Sequence, residues 1–549
     1  MKKVCNFLIF LFVISLTSCL PGPDDYSSTT DSSEPITDSS EPTTTSYTDP
    51  TTDEIVLEDV VLEVNKTIKI EVPDLEEFSY YLTSDNVSVR VDDDVYLTGL
   101  KGNQTANIEV VQNGKIHNAF KATVKSSTYV SKHKNAEESE GWFEEIDVET
   151  IQSMRDEFAH GMDISSIKKI YNNGGKFFDK DGNEASLFLI LKEAGLNWVR
   201  LRLWNDPRDT YIENEIEKTF EYGGGTCDLD YLIWMSKEAK SVGLKVYLDF
   251  HYSDFWADPG KQVIPKMWAD IKTSDEMASA IYSYTKFVLE TLKDENILPD
   301  MVALGNEIIG GMLLHSPGGI TTSPKGDAPN YITNAKSADS AIRGSASGDF
   351  STLKKYLSSA IDAVNDVDSK ILKMIHIAKS VSTAGKSAIE YFYNSLGNLD
   401  YDVIGLSCYP FWHVASMSDL EKTFKSLSTT FSNKQICVAE TSYGFTYEAD
   451  SWAKNIFSLT GNAGPKFDYD VSIHGQAQLI HDITKIISSL SNGFGVFYWE
   501  GAWIPIKDSG WADSHTFVSW ANQGLFSYNG KALGSLEVYN KMKGVIESN

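Results

Sequence analysis

The pattern of apolar and polar positions changes character near residue 156. Beyond that point, short apolar runs rich in β-branched residues alternate with segments whose apolar residues recur at helical spacing. Eight of these runs are expected to be strands: 158–162, 198–203, 245–250, 301–304, 372–377, 403–406, 435–439 and 495–498. Eight strand-then-helix units over residues 156–549 predict an α/β fold, the (β/α)₈ TIM barrel. A doubly wound open sheet is the alternative, but the glycine turn of its dinucleotide-binding forms is missing here.

A different texture precedes the barrel region. Six short strand-like runs lie at 55–64, 67–72, 87–91, 96–100, 106–112 and 119–124, and turn signals such as Asn113-Gly114 separate them. This spacing predicts a small all-β sandwich over residues 54–128, which resembles bacterial Ig-like modules in texture. We expect it to act as a spacer. The charged and polar residues 129–155 are predicted to be a linker.

The first residues have the features of an export signal. Lys2 and Lys3 precede an apolar run over residues 7–16 that is too short for a membrane span. The Leu-Thr-Ser-Cys ending at Cys19 resembles the bacterial lipobox, so we expect a lipoprotein signal peptide over residues 1–19 and a lipid on Cys19. The alternative is an ordinary secretory peptide with an incidental cysteine. Residues 20–53, almost wholly Ser, Thr, Pro, Asp and Glu, predict a disordered linker. The expected location is therefore extracellular, at the surface of a bacterial membrane that holds the anchor.

Composition narrows the possible partners. With 77 acidic and 48 basic residues the formal net charge is −29, which repels phosphate backbones and argues against nucleic-acid binding. No phosphate-binding loop and no Cys or His cluster at zinc spacing is found. Cys5 and Cys19 belong to the leader, and we expect Cys227, Cys408 and Cys437 to be buried thiols, with one disulfide among them as the alternative. No obligate protein partner is predicted.

Polar and aromatic residues follow the eight apolar runs at the point where each run stops. In a TIM barrel the active site forms at these carboxyl ends of the strands. Eight such endings together predict a polar cleft with an aromatic rim. The candidate site residues are Asp163, Arg200, Arg202, Trp204, Asn205, His251, Trp256, Asp258, Asn306, Glu307, His376, Tyr409, Trp412, Glu440 and Trp499.

Glu307 and Glu440 are the residues on which the predicted chemistry depends. They end the fourth and seventh strands, which face each other across the barrel mouth. Two facing carboxyl groups suit cleavage of a glycosidic bond with retention, in which one protonates the leaving oxygen and the other attacks the anomeric carbon. Asn306 is placed to hold a substrate hydroxyl, and Tyr409 with an arginine of the second strand to hydrogen-bond the attacking carboxylate. A glutamate after a strand more often belongs to the start of a helix, and we interpret Glu500 in that way.

Longer strings carry a resemblance to a known family. Gly305-Asn306-Glu307 after the fourth strand, with a glutamate after the seventh, resembles the arrangement of clan A glycoside hydrolases. The strings at 161–166, 199–207, 248–262, 409–413 and 497–505 are similar to those of glycoside hydrolase family 53, the endo-β-1,4-galactanases. The resemblance extends from about residue 158 to residue 536.

This resemblance implies roles for individual residues. Glu307 would be the acid/base and Glu440 the nucleophile of an endo-acting enzyme on β-1,4-galactan, the side chains of arabinogalactan type I. Residues 256–259 would line a glycone-side subsite, and Trp499 would form the floor under the reacting sugar. Arg200, His251, His376 and Tyr409 would surround the glutamates, with Arg200 preferred over Arg202 as the arginine next to the nucleophile.

Two alternatives to this function and two departures from the family remain. The alternatives are another clan A endo-β-glycanase, acting on mannan, glucan or xylan, and a non-catalytic glycan-binding protein of the cell surface.

Some family members bind calcium after the seventh strand. Residues 448–455 keep an asparagine but lack most of the oxygen ligands, so we predict no calcium there, or only a weak site, and no required cofactor. Residues 310–348 form an insertion that is expected to reshape the aglycone side.

Overall fold

Eight parallel strands close into one barrel in the computed structural model of the chain. The structure describes residues 57–71, 80–92, 95–112, 114–130, 138–213, 215–221, 227–318, 332, 334–413, 415–448, 455–457, 468–510 and 520–545. The barrel strands are β8 (Ala159–Asp163), β9 (Trp198–Leu203), β12 (Lys245–Phe250), β13 (Met301–Leu304), β18 (Leu372–Ala378), β19 (Val403–Ser407), β20 (Gln435–Thr441) and β21 (Gly493–Tyr498). They follow one another around the barrel in chain order, and β21 pairs with β8 to close it. The predicted TIM barrel is confirmed, and the open sheet is excluded.

Helices surround the barrel and bury their apolar faces against it. They are α1 (Ile167–Asn172), α2 (Leu187–Glu193), α3 (Leu229–Ser241), α4 (Ser274–Asp294), α5 (Ser351–Asp368), α6 (Thr383–Leu396), α7 (Pro410–His413), α8 (Met417–Thr430), α9 (Ile473–Ser488) and α10 (Val538–Lys543). In α4, for example, Met277, Ile281 and Val288 recur at helical spacing and are fully buried. This helix begins at a capping box in which Thr273 and Glu276 satisfy each other's backbone amides.

The barrel interior is filled by side chains from alternate positions of the strands. Trp198, Tyr247, Met374 and Phe497 belong to one buried apolar cluster there. Gly161 leaves the space that the Phe497 ring occupies, because a Cβ at this position would lie 2.1 Å from Cδ1 of the ring. The interior is therefore a packed layer, and the polar residues of each strand lie above it, toward the carboxyl ends.

A β-bulge interrupts the alternation in β20. Leu406 of β19 pairs with Val438, but the next residue, Ser407, pairs with Glu440, so that Ala439 is an extra residue. Cys437 and Ala439 already face the barrel interior. Without the bulge, the alternation of side chains would turn Glu440 outward, toward the helices. The bulge turns it inward and sets it directly opposite Ser407.

The N-terminal strands form two sheets around a separate apolar core. One sheet has the order β1 (Val60–Glu63), β7 (Lys115–Lys125), β6 (Gln104–Gln112), β3 (Tyr81–Ser84), and the other β2 (Thr67–Lys69), β5 (Tyr96–Gly99), β4 (Val89–Asp92). Both sheets contribute to the same buried cluster, for instance through Leu62 and Leu97. Strand β3 is absent from the sequence-based prediction, since Tyr-Leu-Thr-Ser has no clear alternation. The likeness to Ig-like modules stays a prediction.

Polar contacts fix this sandwich to the barrel. Arg90 forms an ion pair with Glu238 of α3 at 2.8 Å, and Lys101 forms one with Glu193 at the end of α2, also at 2.8 Å. The backbone N–H of Gly102 donates to the carbonyl of Glu184 at 2.8 Å. The sandwich therefore rests on the barrel's first helices along a defined contact.

The linker predicted over residues 129–155 requires a correction. Residues 138–155 are packed on the barrel, because Trp142 is buried with its ring 4.9 Å from that of Phe445, and the N–H of Ile151 donates to Met542 at 2.8 Å. The charged composition of the segment hides these few apolar anchors. Residues 1–56, which include the predicted signal peptide, Cys19 and the disordered linker, lie outside the described residues.

Short strand pairs lie at the carboxyl side of the barrel. A hairpin of β10 (Arg208–Glu213) and β11 (Ile216–Glu221) follows the second barrel strand. In the predicted insertion 310–348, β14 (Gly311–Met312) pairs with β17 (Gly344–Ser345), and β15 (His315–Ser316) pairs with β16 (Lys336–Ser337). Cys227, Cys408 and Cys437 are buried, as predicted. Among the helices that the structure describes, none has the length and apolar composition of a membrane span.

Candidate active site

Glu307 and Glu440 meet at the carboxyl end of the barrel. One carboxylate oxygen of each, together with a ring nitrogen of His376, lie within 4.8 Å of one another. Glu440 is brought there by the bulge in β20. Glu307 comes from the turn after β13, where Gly305 and Glu307 both have a positive φ, 98° and 54°. A left-handed glutamate is strained, and such strain persists where the surrounding contacts fix the residue.

Arg200 connects the site to the strands around it. Its guanidinium is fully buried and contacts Glu440 at 2.8 Å, Asp163 at 2.9 Å and Asp249 at 2.7 Å. It also donates to Asn306 Oδ1 at 3.0 Å. Burial alone would lower the pKa of this arginine, but the carboxylates outweigh burial and raise the pKa, so that Arg200 stays charged.

Arg200, and not Arg202, is thus the arginine that contacts Glu440. Alternation along β9 turns both side chains inward, but Arg202 lies nearer the first and eighth strands. It forms ion pairs with Asp163 at 3.3 Å and with Glu500. The two arginines therefore divide the buried carboxylates between them, with Asp163 shared.

Two donors favour the ionised form of Glu440. Arg200 contacts Oε1, and the Tyr409 hydroxyl donates to Oε2 at 2.9 Å. Burial still raises the pKa of Glu440 above its ordinary value, against the effect of these two donors. Burial and the neighbouring Glu440 raise the pKa of Tyr409 as well, so its hydroxyl keeps the proton that it donates.

Glu307 has no comparable cation next to it. Burial, followed by the charge of Glu440, raises the pKa of Glu307 to about 8. Ser407 opposes this by donating to Oε1 at 2.6 Å, while the charge of Asp258 adds to it. Glu307 is thus the carboxyl group of the pair whose neutral form its surroundings favour, because the cation lies next to Glu440.

His376 and His251 support the site as neutral side chains. Burial, with Arg200 nearby, lowers the pKa of His376 to about 3, and burial lowers that of His251 as well. His251 Nδ1 accepts from the Trp204 indole at 3.2 Å and from the N–H of Ala257 at 3.0 Å. Its proton is thus on Nε2, 3.2 Å from Asp249. Burial disfavours the charge on Asp249, yet Arg200 and this histidine hold its pKa well below the ordinary range.

Half-buried aromatic rings line the cleft beside the glutamates. Trp256 and Trp499 lie with ring centroids 6.0 Å apart, and Tyr409 is 6.5 Å from Trp499. Trp412 is 47% exposed at the rim and packs against Tyr409 and Trp520. Flat rings at these positions offer apolar faces to the C–H surfaces of sugar rings. Trp520 is absent from the sequence-based candidates, since it lies outside any strand ending.

The remaining candidates are supporting or peripheral residues. Trp204 is fully buried and acts through His251. Asn205 directs its amide toward Met267 Sδ at 3.9 Å, and Asp258 pairs with Lys261 at 2.9 Å. The structure therefore places Asn205 and Asp258 in loops of the rim, where their partners are loop residues and Asp258 acts on Glu307 through its charge.

Glu500 is a correction to the sequence-based interpretation. It does not begin a helix but is fully buried, with a φ of 50°, and forms an ion pair with Arg202. The Arg202 guanidinium in turn lies 4.1 Å from the ring centroid of Trp256. Burial raises the pKa of Glu500 to about 8, although Arg202 opposes the shift. The acid thus supports the aromatic platform from beneath. Its position directly after Trp499 is the signal that could have indicated this role.

Glu307, His376 and Glu440 are also the group, among the described residues, that most resembles a metal site. Two contacts speak against a cation at this position. The Arg200 guanidinium lies 2.8 Å from Glu440, and His376 Nε2 is 2.9 Å from Ser407 Oγ. The arrangement suits proton transfer rather than metal binding. The predicted lack of calcium after the seventh strand concerns residues that lie mostly outside the described part.

A barrel with two facing glutamates at its carboxyl end, rimmed by tryptophans, defines a glycoside hydrolase. Its family follows from comparison with known proteins. The sequence profile of glycosyl hydrolase family 53 matches residues 159–539, and the chain belongs to this family.

Relatives and solved structures agree with this assignment. An endo-beta-1,4-galactanase of Bacillus subtilis (strain 168) is 32% identical over 425 residues, which cover 72% of this chain and 88% of that protein. An arabinogalactan endo-beta-1,4-galactanase of Thermothelomyces thermophilus is 31% identical over 395 residues, 70% of this chain and 98% of that one. The solved Ignisphaera aggregans GH53 catalytic domain is 35% identical, with a TM-score of 0.60, and the match covers 72% of this chain and 99% of that one.

Replacing Arg200 with methionine is expected to destabilise the fold by about 3–5 kcal/mol at neutral pH, because three buried carboxylates lose their common cation. In the wild type the depressed pKa of Asp249 contributes stability above its unfolded pKa of about 4 and loses it as pH falls. The difference in the free energy of unfolding between the wild type and Arg200→Met should therefore decrease below about pH 4. Denaturant unfolding at several pH values measures this difference, with Arg208→Met, which removes a half-buried arginine outside the site, as the control. Equal losses for both variants would contradict the central role of Arg200.

Proposed function

We propose that this chain is an endo-acting β-1,4-galactanase that hydrolyses arabinogalactan type I with retention of anomeric configuration. One observation carries the mechanism: carboxylate oxygens of Glu307 and Glu440 lie within 4.8 Å of each other. Retaining glycosidases have carboxyl groups about 5–5.5 Å apart, whereas inverting enzymes need about 6.5–9.5 Å to admit a water molecule. The short separation leaves room for direct attack on the sugar.

In the first step Glu440 attacks and Glu307 acts as the acid. A carboxylate oxygen of Glu440 forms a bond to the anomeric carbon while the bond from that carbon to the leaving oxygen breaks. Glu307 gives its proton to the leaving oxygen, so the shortened chain departs as an alcohol. Arg200 and Tyr409 keep Glu440 ionised before the attack. The raised pKa of Glu307 keeps the required proton available near neutral pH.

In the second step Glu307 acts as the base. It takes a proton from a water molecule, whose oxygen bonds to the anomeric carbon while the bond to Glu440 breaks. Glu440 returns to a carboxylate and Glu307 to its protonated form. Because the two displacements occur from opposite faces of the sugar, the product has the configuration of the substrate.

The choice of galactan rests on the relatives and on the surroundings of the glutamates. The similar proteins from Bacillus subtilis and Thermothelomyces thermophilus carry galactanase names. Trp256 and Trp499 supply apolar faces on which galactose rings can stack. Asn306 Nδ2 uses one hydrogen in a bond to the carbonyl of Ala257 at 2.8 Å, and its second hydrogen is the donor that we assign to the sugar 2-hydroxyl.

Hydrolysis of potato galactan tests the proposal. The wild type should release β-anomeric oligosaccharides first, seen by proton NMR before mutarotation. Glu440→Ala should abolish release, and Glu307→Gln should slow it by about 10²–10⁴-fold, because the acid is lost. Glu290→Gln, on the exposed side of α4, is the matched control and should leave the rate unchanged. Release of sugars from mannan or xylan instead of galactan would assign the enzyme to that polysaccharide. α-Anomers as the first products would refute retention.

The pH profile should be bell-shaped, since Glu440 must be ionised while Glu307 is protonated. The basic limb of kcat/KM is expected near the Glu307 pKa of about 8. Tyr409→Phe removes a donor that lowers the pKa of Glu440. Its acidic limb should therefore move to higher pH while the basic limb stays in place. A profile with one limb, or an unmoved acidic limb in this variant, would contradict the assignment of the two roles.

We further propose that a lipid on Cys19 anchors the enzyme to the outside of a bacterial membrane, with residues 20–53 as the tether. The support is the lipobox-like ending and the composition of the residues that follow it. Cys19→Ala expressed in a bacterial host should move the protein from the membrane fraction to the medium. Cys5→Ala is the control and should stay with the membranes. Equal release of both variants would leave an ordinary secretory signal as the explanation.

A further inference from the structure

Ser407 lies between the two catalytic glutamates. Its Oγ is 2.6 Å from Glu307 Oε1 and 3.4 Å from Glu440 Oε2. The residue is buried, and the bulge in β20 sets it opposite Glu440 in the barrel. A single hydroxyl thus reaches both carboxyl groups of the reaction.

His376 determines how this hydroxyl can be used. Its Nε2 is 2.9 Å from Ser407 Oγ, whereas its buried Nδ1 has no hydrogen-bond partner among the described residues. A neutral imidazole has one N–H, and its placement on Nε2 is assigned from this partner. His376 therefore donates to Ser407 and directs the serine's own proton away from the histidine, toward the glutamates.

The two glutamates exchange their charge during the reaction proposed above. Before the sugar binds covalently, Glu440 is ionised and Glu307 is neutral. In the glycosyl-enzyme, Glu440 is an uncharged ester and Glu307 must be ionised to act as the base. A hydrogen bond to an ionised acceptor is about twice as strong as one between neutral groups, so the single proton of Ser407 follows the charge.

We propose that Ser407 is a positioning residue whose hydroxyl turns from Glu440 to Glu307 between the two half-reactions and stabilises whichever carboxylate is charged. The inference rests on the retaining mechanism proposed above. The serine keeps its proton throughout, so no bond to it is made or broken. The 2.6 Å contact with Glu307 serves both orientations: the O–H of neutral Glu307 donates to Ser407 Oγ in the first half-reaction, and Ser407 donates to ionised Glu307 in the second.

Other groups face the same carboxyl groups from the surrounding elements. Glu307 is near Asp258 from the loop after β12 and Arg200 from β9, in addition to Glu440. Glu440 is held by Arg200 and by Tyr409 from the residues after β19. These charged groups are unchanged when Ser407 is replaced. A shift of the acidic or basic limb of the pH profile in such a variant is therefore due to the loss of the hydroxyl.

Two pH profiles of Ser407→Ala test the proposal. The acidic limb of kcat/KM reports the ionisation of Glu440 in the free enzyme. The acidic limb of kcat, measured on an aryl β-1,4-galactobioside with a good leaving group, reports the ionisation of Glu307 in the glycosyl-enzyme, where the second step limits the rate. Loss of a donor to a charged group raises the pKa of that group. Both acidic limbs should therefore move up, by about one pH unit in kcat and less in kcat/KM, because the contact with Glu440 is longer.

A fixed hydroxyl gives a different result. If Ser407 stayed on Glu307 in every state, Ser407→Ala would raise the basic limb of kcat/KM and leave its acidic limb in place. That outcome, or the absence of any shift, would overturn the inference. Ser407→Thr keeps the hydroxyl and should restore both limbs. Ser442→Ala, which removes another buried serine that bonds Gln523 at 3.1 Å, should leave both limbs unmoved. Inverted products, or no release from galactan by the wild type, would be a failure of the proposed function instead.

Discussion

The site depends on the ion pairs of Arg200, because its guanidinium contacts three carboxylates from three different strands. Asp163 comes from β8, Asp249 from β12 and Glu440 from β20, and all three lie within 3 Å of one guanidinium. Removing charges from water is costly, and the cost is met when the ions are paired and their hydrogen bonds are satisfied. The guanidinium is planar, always charged and carries five donors in a fixed geometry, so it can serve several carboxylates at once. The position of Glu440 is thus tied to the closure of the barrel.

The same guanidinium creates the difference between the two glutamates. Glu440 is buried and Glu307 half-buried, and burial favours their neutral forms. Glu440 touches Arg200 and Tyr409, whereas Glu307 receives one serine hydroxyl and faces the charge of Glu440. Two carboxyl groups this close cannot both ionise easily, so the proton stays with the one that lacks the cation. The proposed roles of acid for Glu307 and nucleophile for Glu440 therefore depend on where one arginine lies in the barrel.

Much of this arrangement could be predicted from local patterns, and the rest depends on pairing between strands. The strands 198–203, 245–250 and 301–304 match their predicted bounds at both ends, because buried parallel strands are continuous apolar runs. Glu307 and Glu440 were found since polar residues that end such runs gather at one face. Ser407 was not found, because a serine after a strand is ordinary and its contacts come from two neighbouring strands. The packing of Trp142 could not be predicted either, because this single apolar ring lies in a segment whose other residues are mostly charged or polar.

The bulge in β20 shows why the site could not be built by alternation alone. Ala439 faces the barrel interior, and the next residue of a regular strand would face the helices. The extra residue interrupts the ladder between β19 and β20, and it gives Glu440 both Arg200 and Ser407 as neighbours. Glu307 and Glu500 are irregular in another way, because both have a left-handed backbone. Buried polar partners hold each of them in this strained conformation. Three irregular positions of this barrel, at Glu307, Glu440 and Glu500, thus carry carboxyl groups of the site. A change that relaxed them would improve the local backbone while separating the groups that must act together.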